Sequence, residues 1–121
     1  MQKVLLFFWI IACFGFMNPF PSTTKEKIHW ISFEEAEKLN KEKPLPILVD
    51  IYTDWCGWCK VMDKNTFADP EVARILNEKF YPVKFNAEQR EDVTFQGNTF
   101  KFAAYGNGGT HELASALLQN R

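Results

Sequence analysis

Cys56 and Cys59 are separated by two residues, the spacing at which two thiols close a small disulfide ring and exchange it with other thiols. They follow the apolar segment Ile47-Leu48-Val49-Asp50-Ile51-Tyr52, and the residues after them, Lys60 to Lys64, fit the opening of a helix. Unpaired backbone N–H groups and the positive end of a helix dipole stabilise a thiolate at that place, so Cys56 reads as the nucleophile. Cys59, one helical turn deeper, reads as the cysteine that attacks the mixed disulfide on Cys56 and releases the partner in reduced form. Lys60 adds positive charge beside them. Other uses of the pair stay in view. A structural zinc site wants four ligands, and the imidazoles of His29 and His111 are isolated and lack ligand spacing, so no metal-ligating set is assigned. A c-type haem would need His directly after Cys59, where Lys60 stands. An inert structural bridge remains open, although closing so short a loop stabilises little through chain entropy.

Three further residue types bear on this chemistry. Asp50 lies inside an otherwise apolar run, where a carboxylate needs a partner, and its position six residues before Cys56 suits proton transfer. Trp55, Gly57 and Trp58 surround the cysteines as candidates for binding a substrate, the two indoles by shielding the disulfide and presenting an apolar docking surface.

The elements that must position these groups can be read from periodicity and turn chemistry. Ile28 to Ile31 is a short strand candidate, and Ser32 with Glu35 forms a capping box that starts a helix through about Lys41, ended by Pro44 and Pro46. The near-continuous apolar run 47–52 predicts a strand buried on both faces of a parallel sheet, with helices on both sides. Asp69-Pro70 is an N-cap followed by proline at the first helical position, and Val72, Ile75, Leu76 and Phe80 share one face of the helix it opens. Tyr81 to Phe85 is the next strand. Val93–Gln96 and Thr99–Phe102 alternate around Gly97-Asn98, which predicts a two-residue hairpin with Phe95 opposite Phe100. The residues 106–109 read as a flexible loop, and Thr110 as the cap of a last helix in which Leu113, Ala114, Leu117 and Leu118 cluster. His111 and Glu112 read as a solvated helix end.

The chain has 121 residues, 46% hydrophobic and 24% charged, which suits one packed domain and excludes disorder. Fourteen basic side chains stand against fifteen acidic ones, for a net charge of −1. No basic run replaces phosphate counterions, so nucleic-acid binding is excluded as a function class. The division is a leader with its linker over 1–24 and a domain over 25–121. Lys3 precedes the apolar run Val4 to Met17, which resembles a secretory signal and is short for a membrane span unless residues 18–21 extend it as an anchor. Ile10-Ile11-Ala12-Cys13 resembles a bacterial lipobox and makes Cys13 a candidate for lipidation. Each version exports the domain, to the periplasm or to a membrane anchor facing it.

The stretch from Ile47 through Asp54-Trp55-Cys56-Gly57-Trp58-Cys59-Lys60 resembles the active-site strand and turn of the thioredoxin family. With Met62-Asp63-Lys64 and Thr66 to Val72 it is similar to exported bacterial thioredoxin-like proteins and to the periplasmic thioredoxin-like domain of the Dsb electron-transfer system, over roughly residues 28–86. The resemblance implies an α/β fold, a thioredoxin-like three-layer α/β/α sandwich. It also implies catalytic roles for Cys56, Cys59, Asp50 and its lysine partner Lys84, with protein thiols or disulfides and a redox partner protein as partners and no cofactor. Gly57-Trp58 replaces the Gly-Pro pair of reducing thioredoxins. None of the six prolines follows the last helix to play the family's cis-proline role, and this leads us to expect a domain cut short after its third major helix. The function expected is exported thiol–disulfide exchange through Cys56 and Cys59. The alternative is a metal-binding or structural binding module on the same fold.

Overall fold

The computed structural model describes residues 25–119. The leader and Cys13 lie outside the described residues, and among those described no helix is long and apolar enough to cross a membrane.

Helix α1 (Phe33–Glu42) starts where Ser32 accepts the Glu35 N–H at 3.1 Å, and it buries Phe33 and Ala36. Strand β1 (Ile47–Tyr52) leads into helix α2 (Gly57–Asn65), and helix α3 (Pro70–Lys79) follows after the Asp69 side chain accepts the N–H groups of Glu71 and Val72. Strand β2 (Tyr81–Asn86) returns parallel to β1, with Asp50 opposite Lys84 in the register. The remainder is two antiparallel hairpins, β3 (Val93–Phe95) with β4 (Asn98–Phe100) and β5 (Phe102–Tyr105) with β6 (Gly108–His111), and then helix α4 (Glu112–Leu118).

Alternation along β1 and β2 divides the core in two. Ile47, Val49, Ile51, Val83 and Phe85 pack with Phe33, Ala36, Val93, Leu113 and Ala114, which fills the side covered by α1, the first hairpin and α4. Leu48 packs instead with Ile28, Ala73 and Leu76 on the α3 side, together with Trp30, Phe67 and Phe80. Asp50 and Lys84 have the parity of Leu48 and Pro82, so both charges belong to this second face. The architecture is therefore α/β, with helices on both faces of the parallel pair.

Several expectations are corrected here. Ile28 to Ile31 forms no strand beyond a single bridge from Ile31 to Val83. Strand β1 is half-buried except at Asp50, because among the described residues it pairs with β2 alone. In α3 the buried residues are Ala73 and Leu76, while Ile75 points outward and is 41% exposed. The first hairpin turns one residue earlier than the alternation implied. Gln96 and Gly97 both have positive φ, 51° and 77°, as a two-residue turn matched to strand twist requires. Phe95 thus faces Asn98, and Phe100 faces Val93. The Glu34 and Glu37 carboxylates on α1 accept the Thr94 and Gln96 N–H groups, which docks the hairpin in this register and turns Val93 into the core. The glycine-rich residues 106–109 are a second hairpin rather than a loose loop. A side chain at Gly109 would meet the Phe102 ring and the Ala103 carbonyl oxygen at 2.6 Å or less, so that close approach demands glycine. Thr110 lies inside β6, and the cap of α4 is His111.

Candidate active site around Cys56 and Cys59

Strand β1 ends at Tyr52, and Thr53 accepts the Cys56 N–H at 3.1 Å to close the turn that starts α2. Cys56 is the N-cap of that helix. Its sulfur accepts the backbone N–H of Cys59 at 3.2 Å, the same bond that an oxygen makes in an ordinary cap. The two sulfurs are bonded to each other, with Cα atoms 5.3 Å apart, and both cysteines are half-buried.

The indoles flank the disulfide in solvent, Trp55 at 75% and Trp58 at 81% exposure. Neither is core. Val61 and Met62 continue the exposed apolar face of α2 one turn beyond Trp58. Trp55 is not loose, because its Nε1–H donates to Glu88 Oε1 at 3.0 Å, from the segment after β2. The Ala87 N–H donates to the Tyr52 carbonyl oxygen at 2.8 Å and holds that segment against the end of β1. Gly57 is exposed at the first position of α2, with open space where a side chain would be.

Beneath the turn, Asp50 meets Lys84 at 2.8 Å, as their register positions require. Asp63, four residues after Cys59 on α2, holds the same ammonium from its other side. Its part was missed in the sequence, although the four-residue step from Cys59 places it on that cysteine's helical face. The rings of Tyr52, Trp30 and Phe67 surround the Lys84 ammonium at 5.0, 5.1 and 5.7 Å. A groove of about 610 Å³ between Trp30 and Phe67 opens this cluster to solvent past Lys25 and Lys27. No polar contact joins Asp50 or Lys84 to either sulfur in the disulfide form among the described residues.

Burial pulls the Lys84 ammonium down, but its hydrogen bonds to Asp50 and Asp63, with their charges, more than offset this and hold it above the usual lysine range. A pKa raised by folding contributes stability that is complete below the unfolded lysine value and lost as pH rises through the folded one. Lys84→Met is therefore expected to lose roughly 2 kcal/mol at pH 7. That is below the 3–5 of a fully buried pair because Lys84 and Asp63 keep contact with water. The stability curves of wild type and variant should converge above about pH 10.5. Chemical denaturation across pH 7 to 12 checks this, and curves that stay parallel would remove the ion pair from the account.

The site is thus a helix-capping disulfide fed by a parallel strand, with a carboxylate–lysine pair nearby, on an α/β fold. Residues 20–116 match the family described as Thioredox_DsbH, protein of unknown function DUF255, and the chain belongs to that family. It is 35% identical over 83 residues to the uncharacterized protein B0495.5 of Caenorhabditis elegans, covering 68% of this chain and 11% of that protein. It is 36% identical over 78 residues to spermatogenesis-associated protein 20 of Homo sapiens, covering 64% and 9%. The thiol:disulfide interchange protein DsbD of Escherichia coli strain K12 is 33% identical over 57 residues, covering 44% and 10%. The chain thus spans about a tenth of the length of these curated relatives.

Proposed function

We propose that this chain is a thiol–disulfide oxidoreductase that exchanges the Cys56–Cys59 disulfide with protein thiols. The observation that carries the reading is the Cys56 sulfur at the N-cap of α2, accepting the Cys59 N–H. The likeness to DsbD, whose name states thiol:disulfide interchange, supports it.

In the reducing direction the Cys56 thiolate attacks one sulfur of a partner disulfide. A mixed disulfide forms and the partner's other sulfur leaves as a thiolate, which takes a proton from water. Cys59 then gives up its proton, and its sulfur attacks the Cys56 sulfur. The partner's second thiol is released and the Cys56–Cys59 bond is made. In this reading Asp50 accepts the Cys59 proton, and its ion pair with Lys84, an ammonium that Asp63 also binds, supports the role. A second dithiol protein restores the reduced pair. Trp55 and Trp58 with Gly57 form the surface on which the partner segment lies. The apolar run Val4 to Met17 supports export of this activity to the periplasmic side of a membrane.

Reduction of insulin disulfides at the expense of dithiothreitol tests the proposal. Wild type should accelerate it, and Cys56→Ser, which keeps a capping oxygen, should fall to the uncatalysed rate. Equal rates for the two proteins would sink the reading.

A further inference from the structure

The exposed indoles beside the disulfide stand between charges of opposite sign. On the strand side are Asp54, next to Trp55 in the turn, and Glu88, from the segment after β2, both with exposed side chains. Both are held in place. Glu88 Oε1 accepts the Trp55 Nε1–H at 3.0 Å, while Asn86 at the end of β2 donates its side-chain N–H to Asp54 Oδ2 at 3.5 Å and accepts the Glu88 N–H at 2.9 Å. Neither carboxylate has a cation. The ion pairs among the described residues use Asp50, Asp63, Glu71, Glu78 and Asp92, and none reaches Asp54 or Glu88. Arg90, two residues beyond Glu88, lies instead over the Phe102 ring at 4.4 Å. On the helix side the sign is reversed, because the exposed Lys60 follows Cys56 by four residues and shares its face of α2.

We propose that this surface selects its partner by charge, favouring a polypeptide segment that carries a basic side chain next to its reactive cysteine, on the side that meets Trp55. The inference deepens the proposed exchange activity and rests on it. Asp54 and Glu88 set specificity and take no part in the sulfur chemistry.

Asp54 and Trp55 directly precede Cys56, and each residue of an extended partner advances by about 3.3–3.6 Å. A side chain one place from the partner's cysteine therefore falls over Trp55, beside the two carboxylates. Arginine suits that place doubly, since its planar guanidinium stacks on an indole and its N–H groups fit a carboxylate. An acidic side chain there meets two like charges. The carboxylates are already fixed by Trp55 and Asn86, so little ordering is needed when the partner arrives, and their charge acts on the rate of encounter. Lys60 adds direction, because its charge repels the same basic residue from the helix side.

The probes are short peptides with one cysteine held as a mixed disulfide with thionitrobenzoate, and with Arg, Gln or Glu placed either just before or just after that cysteine. The Cys56 thiolate of the full chain, reduced with dithiothreitol and freed of it, attacks the peptide sulfur. A Cys56–peptide disulfide forms and thionitrobenzoate leaves as a coloured thiolate. Each rate is divided by that of the same peptide with 2-mercaptoethanol, which removes the effect of the charge on the disulfide itself. In at least one placement the Arg peptide should react about tenfold faster than the Glu peptide at low salt, the size of one exposed attraction exchanged for a repulsion. The ratio should fall toward one as salt rises from about 0.01 M to about 1 M and the screening length shrinks from about 30 Å to about 3 Å. The double variant Asp54→Asn, Glu88→Gln keeps both hydrogen-bond acceptors and should lower the low-salt ratio to about twofold or less. A merely structural role would slow all peptides alike and leave the ratio unchanged. The inference is overturned if Arg and Glu peptides react equally in both placements, if the preference survives at high salt, or if the double variant retains it. The salt series uses wild type alone and decides should the variant fail to fold. Reaction with none of the peptides overturns the exchange activity and this inference together, whereas equal reaction with all overturns only the inference.

Discussion

Replacing Cys59 with serine is expected to turn the protein into a covalent trap. The first attack needs the Cys56 sulfur and the Cys59 backbone N–H, which the variant keeps, so mixed disulfides should form at close to the wild-type rate. The second step needs a thiolate one turn into α2. A serine hydroxyl at that place does not displace a sulfur, so turnover in insulin reduction should fall by about a thousandfold or more. Partner proteins should accumulate as complexes that dithiothreitol dissolves. Asp50→Asn provides the graded counterpart. It keeps a polar group opposite Lys84 and removes the proton acceptor, so it should slow release of the mixed disulfide while leaving its formation unchanged. Rapid mixing with quenching by acid separates the two steps. Equal slowing of both, or trapping by wild type as strong as by the serine variant, would remove Cys59 and Asp50 from these roles.

The largest loss of stability is expected from Phe85→Ala. Phe85 is 2% exposed and sits where the two halves of the chain meet, with its ring edge-on to Phe33 of α1 at 5.2 Å and to His111 at 5.1 Å. Truncating it removes contacts with both at once, and a buried phenylalanine lost to alanine costs about 3–5 kcal/mol. A domain of this size holds roughly 5–15 kcal/mol in total, and each kcal/mol shifts its melting temperature by about 4–8 °C. A drop of about 15 °C or more should follow. Val61→Ala is the matched control, because Val61 is 44% exposed on α2 and its truncation should stay within about 0.5 kcal/mol. Thermal unfolding by circular dichroism compares the two, and similar losses would misplace the core.

The elements read most faithfully were those whose signals are local. Ser32, Asp69 and Pro70 mark helix starts because capping is settled within a few residues, and the runs 47–52 and 81–85 are strands because their apolar content fits no exposed segment. The partnership of Asp50 and Lys84 was legible through the family resemblance, and the parallel register brings the two together. What failed depended on contacts between distant segments. The turn at Gln96 and Gly97 is placed by carboxylates of α1 roughly sixty residues away, against the local preference for Gly97-Asn98. His111 looked like a solvated helix end because its burial comes from Phe85 and the segment before β3. Ile75 shares the helical period of Leu76, but α3 is covered over a narrower arc than its apolar residues span. Asp63 went unassigned because a carboxylate on an exposed helix gives no sign of the lysine above it until the strand beneath is in place.

Helix α2 buries none of its residues, so its first turn is held chiefly by its cap and by the bond between Cys56 and Cys59. Once Cys56 takes a partner's sulfur, that bond is gone and only the cap is left. The segment that carries Cys59 then frays more readily, at the moment when this cysteine must travel toward the Cys56 sulfur. Under the proposed exchange activity, the cycle is expected to alternate between a tethered and a loosened helix end, the loosening lowering the barrier to the motion that ends it. Hydrogen exchange at the amides of Trp58 to Lys60 is expected to be slow while the pair is oxidised and faster once it is open.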